Sequence, residues 1–121
     1  MLLYEELTRT IIGIAMEIHR ALGPGYIESV YESALCLELT NRKIPFKDQL
    51  ALPVYYKGVV LGKYYADLLV DEKIILEIKA VSALVPRHEA QAIHYLTSTK
   101  KRLALLLNFG TPKLQFRRII K

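Results

Sequence analysis

Lys63 to Val81 reads KYYADLLVDEKIILEIKAV, and the reading of this stretch decides the fold. Two apolar runs, Tyr64 to Val70 and Ile74 to Val81, flank Asp71-Glu72-Lys73, the pattern of a β-hairpin with a short polar loop. Closing the loop on Val70 and Ile74 and counting back along both strands sets Asp67 directly opposite Glu77. Side chains alternate across a strand, so Tyr65, Asp67 and Leu69 share one face with Ile75, Glu77 and Lys79. The other face holds Ala66, Leu68 and Val70 with Leu76, Ile78 and Ala80, apolar throughout and fit for burial. Carboxylates facing each other across a ladder repel by up to roughly 1 kcal/mol even where water screens them, so a compensating charge is expected. Two arrangements provide one. Either the face is solvated and Lys79 offsets one acid, or a divalent cation sits there, because hard cations such as Mg²⁺ take carboxylate oxygens.

The rest of the chain sets the frame for that hairpin. Its 121 residues predict a single domain over 1–121 with a real core. A composition 52% hydrophobic and 24% charged is that of a globular chain, not a disordered one. No apolar run approaches the roughly 20 residues of a membrane span, and the opening MLLYEELTRT carries acids where a signal peptide needs a basic region. A cytoplasmic protein with no membrane contact is the expectation. The lone cysteine, Cys36, lies in an apolar helical pattern and reads as a small buried hydrophobe. The net charge of +5 favours polyanions, and its distribution is uneven. Glu28, Glu32, Asp67 and Glu77 gather around the proposed site, while Lys100, Lys101, Arg102, Lys113, Arg117, Arg118 and Lys121 crowd the C-terminal part. An acidic pocket in a basic body suits a metal-dependent enzyme acting on a phosphodiester.

Upstream, Leu7, Ile11, Ile14, Ile18 and Leu22 fall at helical steps from about Leu3 to Leu22, an amphipathic helix. Gly23-Pro24-Gly25 ends it. A second helix is predicted from near Tyr26 toward Arg42, with Val30, Ala34, Leu35 and Leu39 inward and Glu28 in its first turn, where a carboxylate also suits the helix dipole. Ile44 to Tyr56 reads as a strand, and Pro45 and Pro53 make it an edge or an irregular one. Lys57-Gly58 signals a turn, and Val59 leads into the strand bearing Asp67. Downstream, Ser82 to Val85 is a loop, and Pro86 opens a third helix, PRHEAQAIHYLTSTK, with Ala90, Ile93 and Leu96 or Thr97 inward. Arg102 to Phe109 is a strand apolar enough for burial on both faces, and Leu114 to Ile120 is a last strand beyond the Gly110-Thr111-Pro112 turn. The fold class is thus α/β (α+β), a central mixed β-sheet flanked by helices in the order ααβββαββ.

Set in this order, the residues resemble the PD-(D/E)XK nuclease superfamily: Asp67, then Glu77-Ile78-Lys79 on the next strand, a glutamate on a preceding helix and a glutamine on the following one. They resemble in particular its small GxxExxY branch, whose heptapeptide matches Gly25 to Tyr31, GYIESVY. LPVYYKG at 52–58, ADLLVDEKIILEIKAV at 66–81, HEAQ at 88–91 and LNFG at 107–110 are similar to that branch too, with Ala66 where a proline is usual. The resemblance implies a restriction-endonuclease-like core. It further implies Mg²⁺, with Mn²⁺ able to substitute, held by Asp67 and Glu77, with the Ile78 carbonyl completing the shell and Glu28 binding the metal or its water. Lys79 would orient or deprotonate the attacking water and offset charge on the phosphorane. Gln91 and Tyr95, one helical turn apart, would line the site and touch water, Lys79 or a phosphate, although Tyr95 also fits the edge of the core. Tyr31, one turn after Glu28, either holds that acid by a hydrogen bond or packs on the sheet. His88, one turn before Gln91, is a site-edge residue able to contact phosphate. Spacing does not make His19, His88 and His94 a zinc set.

Two function classes follow. One is a Mg²⁺-dependent nuclease-like enzyme cutting phosphodiester bonds by metal-activated water, with DNA the expected substrate. The other is a catalytically silent nucleic-acid-binding or protein-assembly module that keeps the fold. Its motive is size: so short a chain has little room for a separate recognition element, which leaves specificity to a homodimer or a partner protein at the Ile119-Ile120 edge or the first helix.

Overall fold

The computed structural model describes residues 2–121. In chain order the elements are α1 (Glu5–Leu22), α2 (Glu28–Asn41), β1 (Phe46–Tyr56), β2 (Val59–Val70), β3 (Ile74–Lys79), α3 (Pro86–Thr99), β4 (Leu103–Asn108) and β5 (Gln115–Ile120). The strands form one five-stranded sheet in the order β1-β2-β3-β4-β5. β1–β2, β2–β3 and β4–β5 are antiparallel, while β3 and β4 run parallel because α3 carries the chain back between them. Both the order of elements and the mixed sheet are those expected. Among the described residues no helix is long and apolar enough to cross a membrane.

Helices cover both faces. Ile11, Ile14 and Ile18 of α1 and Tyr31, Leu35 and Leu39 of α2 pack with Leu68, Val70, Leu76, Ile78, Leu105, Leu107 and Phe109 on one side. On the other, Ala92, Tyr95 and Leu96 of α3 cover Leu69, Ile75, Ala104 and Leu106. Every residue of β4 is buried, as expected for a parallel strand sandwiched between helices. The Lys57-Gly58 turn has left-handed φ at both positions, 49° and 78°, the geometry whose twist matches a right-handed hairpin. β1 is an edge strand, which explains how it holds Pro53 without losing a ladder bond inside the sheet.

Four local expectations are corrected. The inward line of α2 includes Tyr31 in place of Val30, since the Tyr31 ring stacks on Phe109 with centroids 4.5 Å apart. The inward face of α3 is His88, Ala92, Tyr95 and Leu96, and Ala90 and Ile93 are exposed. The tyrosine and histidine are amphipathic, so a count of aliphatic residues alone rotates the helix the wrong way. Ala66 does not join Leu68 and Val70; it packs on the α3 side, because the ladder is interrupted beside Asp67, where Gln49 of β1 has a left-handed φ of 50°. Cys36 is half-buried, and its thiol is pushed up to about 11 by burial first and then by Asp48 and Glu32.

Candidate active site

Asp67 and Glu77 lie where β2 and β3 part. Regular pairing runs through Val70↔Ile74, Leu69↔Ile75 and Leu68↔Leu76 and stops one pair short of the opposition that counting predicts. β3 goes on to follow β4 as far as Lys79↔Asn108, while β2 goes on to follow β1, so sheet twist pulls the two strands apart. Carboxylates take over the lost ladder positions. The Ile78 N–H donates to Asp67 Oδ2 at 2.7 Å, and the Asp67 N–H donates to Glu77 Oε1 at 3.4 Å.

The electrostatics follow from that placement. Glu77 is only 2% exposed, and Asp67 is half-buried. Burial is the main cause that lifts both carboxyls: Asp67 to about 6, and Glu77 higher still because the Asp67 charge adds to its desolvation. The Ile78 N–H and the Lys79 charge oppose the rise at Asp67. One ammonium does not neutralise two carboxylates, so the pair retains a proton near neutral pH. A divalent cation could take that proton's place, and two adjacent oxygen donors have the right chemistry for a hard ion. Among the described residues no group of three or more His, Cys, Asp or Glu converges to cage an ion. A hard cation held by two carboxylates would keep waters or take substrate oxygens in its remaining positions.

Lys79 reaches toward α3, where its Nζ donates to Gln91 Oε1 at 2.9 Å, one of the three alternative contacts expected of Gln91. His88 is buried at the start of the same helix. The Val85 N–H donates to His88 Nδ1 at 3.1 Å, so the neutral ring carries its proton on Nε2. Burial, then the charges of Lys79 and Arg87, lower its pKa and keep it neutral. Tyr95 is 3% exposed; burial, then Glu77 and Asp67, raise its phenol, which stays a proton donor. Lys79, Gln91, His88 and Tyr95 share a pocket of about 500 Å³ with Tyr64, Arg87, Ala90 and His94.

Glu28 and Tyr31 separate. Tyr31 does not hold Glu28: its hydroxyl donates to the Gly23 carbonyl at 2.6 Å and accepts the Tyr26 N–H at 3.2 Å, clipping the loop before α2. Gly25 in that loop has φ 119°, a region that disfavours any side chain. Glu28 is exposed, and its charge is felt at Asp67, Glu77 and His88. Glu32, one turn on, also acts on Asp67, with its oxygens 2.9 and 3.0 Å from Gln49 Nε2.

Arg87, His94 and Tyr64 are pocket residues that the sequence reading did not single out. For two of them a signal existed: Arg87, Gln91 and His94 are spaced four and three apart, one helical face, and the misplaced inward face of α3 hid it. His19 is remote from the pocket; its Nε2 lies 2.8 Å from the Thr111 carbonyl oxygen, tying α1 to the β4–β5 turn.

The fold thus brings together an acid pair at a strand fork, a lysine two residues on and a glutamine from the crossover helix. The family model of the PD-(D/E)XK nuclease superfamily matches residues 5–119, and the chain belongs to that superfamily. Among solved structures it is similar to the crystal structure of SSO0001, with a TM-score of 0.63 and 19% identity over 77% of this chain. The match spans about half of that longer chain, 49%. Among curated proteins no match is found.

Proposed function

We propose that this protein, as a GxxExxY-type member of the superfamily, hydrolyses phosphodiester bonds in nucleic acid, with DNA the expected substrate and Mg²⁺ or Mn²⁺ the cofactor. The observation that carries the reading is the fork itself: two carboxylates that disfavour each other without a cation lie beside a lysine whose ammonium is held by Gln91. The bound cation would supply Lewis acidity toward the phosphoryl oxygen. Asp67 and Glu77 would hold it, with the Ile78 carbonyl alongside and Glu28 at the outer rim. Glu28 is the carboxylate of the heptapeptide signature and is exposed, while Gly25 and Tyr31 are used in shaping the loop.

Lys79, positioned by Gln91, would orient the attacking water and offset the negative charge that grows on phosphorus oxygens. His88, with its proton fixed on Nε2, and the neutral Tyr95 phenol are hydrogen-bond donors facing the same pocket, and Arg87 presents a planar fork suited to a phosphate. Together with Asp67, buried Glu77 sets the charge that the cation would balance.

The test is cleavage of plasmid and oligonucleotide substrates with Mg²⁺ or Mn²⁺. Wild type should cut, while Asp67→Ala and Lys79→Ala should each lose on the order of 10²-fold or more in rate. Wild-type inactivity on every nucleic acid tried, with both ions, would overturn the proposal.

A further inference from the structure

We propose that the outer half of the β1–β2 hairpin grips unpaired bases, so that the substrates of this site are nucleic acids with single-stranded segments. The inference deepens the phosphodiesterase reading and rests on it for cleavage, although the binding it predicts can be measured without any cleavage.

β2 pairs with β1 along Val59 to Val70 but with β3 only from Leu68 to Val70, so the hairpin extends as a two-stranded arm beyond the helices. Every residue from Val59 to Tyr65 is exposed. Tyr55, Tyr56, Tyr64 and Tyr65, with Val59, Val60 and Leu61, each leave between 48% and 64% of their surface in water. Contiguous apolar exposure of this kind marks an interaction surface, and the charge on the arm indicates what binds there. From Gln49 to Ala66 the chain has no aspartate or glutamate and two lysines, Lys57 and Lys63. Lys57 Nζ stands 5.4 Å from the centre of the Tyr56 ring. Aromatic rings interleaved with cations are the means by which proteins hold single strands, rings stacking on bases and ammonium groups on phosphates.

The arm is also continuous with the pocket. Tyr64 lines it and meets Tyr95 edge-on with centroids 5.9 Å apart, so a strand lying on the arm leads to Lys79, Arg87 and His94. A duplex hides its base faces and offers the arm only phosphates, which two lysines would bind weakly. A second copy of this chain fits less well: two arms would bring lysines together with no carboxylate to match them, and Pro53 removes a donor from the free edge of β1.

The experiment uses the full chain in a chelator, so that no cleavage occurs, and follows fluorescence anisotropy of a labelled oligothymidine of about 20 nucleotides and a duplex of equal length. The single strand should bind about tenfold or more tightly than the duplex. The double variant Tyr55→Ser/Tyr56→Ser, at the exposed tip, should lose on the order of tenfold or more in single-strand affinity and change duplex affinity by less than about twofold. Lys57→Ala/Lys63→Ala keeps all the rings and should cost about three- to tenfold, with a shallower salt dependence. Equal or tighter duplex binding, or tyrosine variants that bind like wild type, would overturn the inference. So would sedimentation showing that the arm makes a dimer which the same variants dissolve. Cleavage without a single-strand preference sinks the arm and spares the nuclease; preference without cleavage under Mg²⁺ does the reverse.

Discussion

Glu77 is the residue at which stability and the proposed function oppose each other. Its carboxyl is raised by burial and by Asp67, and Asp67 is raised from 3.8 to about 6. A raised carboxyl favours the protonated folded state, so its stability contribution is full below the unfolded-state pKa and declines as pH rises toward the folded-state value. Without divalent ions the protein should therefore lose stability across the window from 3.8 to about 6 set by Asp67, and further above it as Glu77 ionises. Glu77→Gln removes the charge at nearly constant volume. Near about pH 8 it should be more stable than wild type by about 1 kcal/mol, and near about pH 4 the difference should close. Thermal unfolding at the two pH values checks this; a variant less stable at both would show that Glu77 holds the fold together as an anion.

At the scale of elements, the exit of β3 is what aims Lys79. Asn108 at the end of β4 is fully buried; its Oδ1 accepts the N–H groups of Val81 and Gly110, each at 3.0 Å, and its Nδ2 donates to the Val81 carbonyl at 3.0 Å. The Phe109 N–H donates to the Lys79 carbonyl at 2.8 Å. Gly110 is required by close approach: a Cβ there would lie 2.5 Å from both the nitrogen and the oxygen of Val81. Gly110→Ala should push the β3 exit away and cost about 3 kcal/mol, read as a lower midpoint in urea unfolding. An alanine variant as stable as wild type would mean that this junction yields more readily than its packing implies. The LNFG stretch at 107–110 thus has a structural reason independent of any chemistry: it fastens the strand that carries Lys79.

For the molecule as a whole, an ion held by Asp67 and Glu77 would bind the folded state only, because the two acids meet through the fold of a hairpin. Saturating Mg²⁺, at about 100 times its dissociation constant, should stabilise wild type by about 2.7 kcal/mol. The rise should shrink in Glu77→Gln, as followed by thermal unfolding at fixed ionic strength; an equal rise in both would place the ion elsewhere. Much of this architecture was legible in local pattern. The Val70–Ile74 closure, the Lys57-Gly58 turn, the edge position of the strand holding Pro53 and the burial of Leu103 to Asn108 are written in alternation, turn chemistry and hydrophobic runs, which act between near neighbours. The acids and the lysine could be named from the sequence for the same reason, since ten residues across a turn fix their proximity. Tertiary structure decided the rest: that β2 and β3 separate at Asp67 so that carboxylates replace ladder bonds, that Ala66 changes sides, that α3 turns Arg87 and His94 into the pocket, and that Val59 to Tyr65 stay in water. An apolar strand carries the same pattern whether or not a neighbour covers it, and where that neighbour leaves is set by the twist and pairing of the whole sheet.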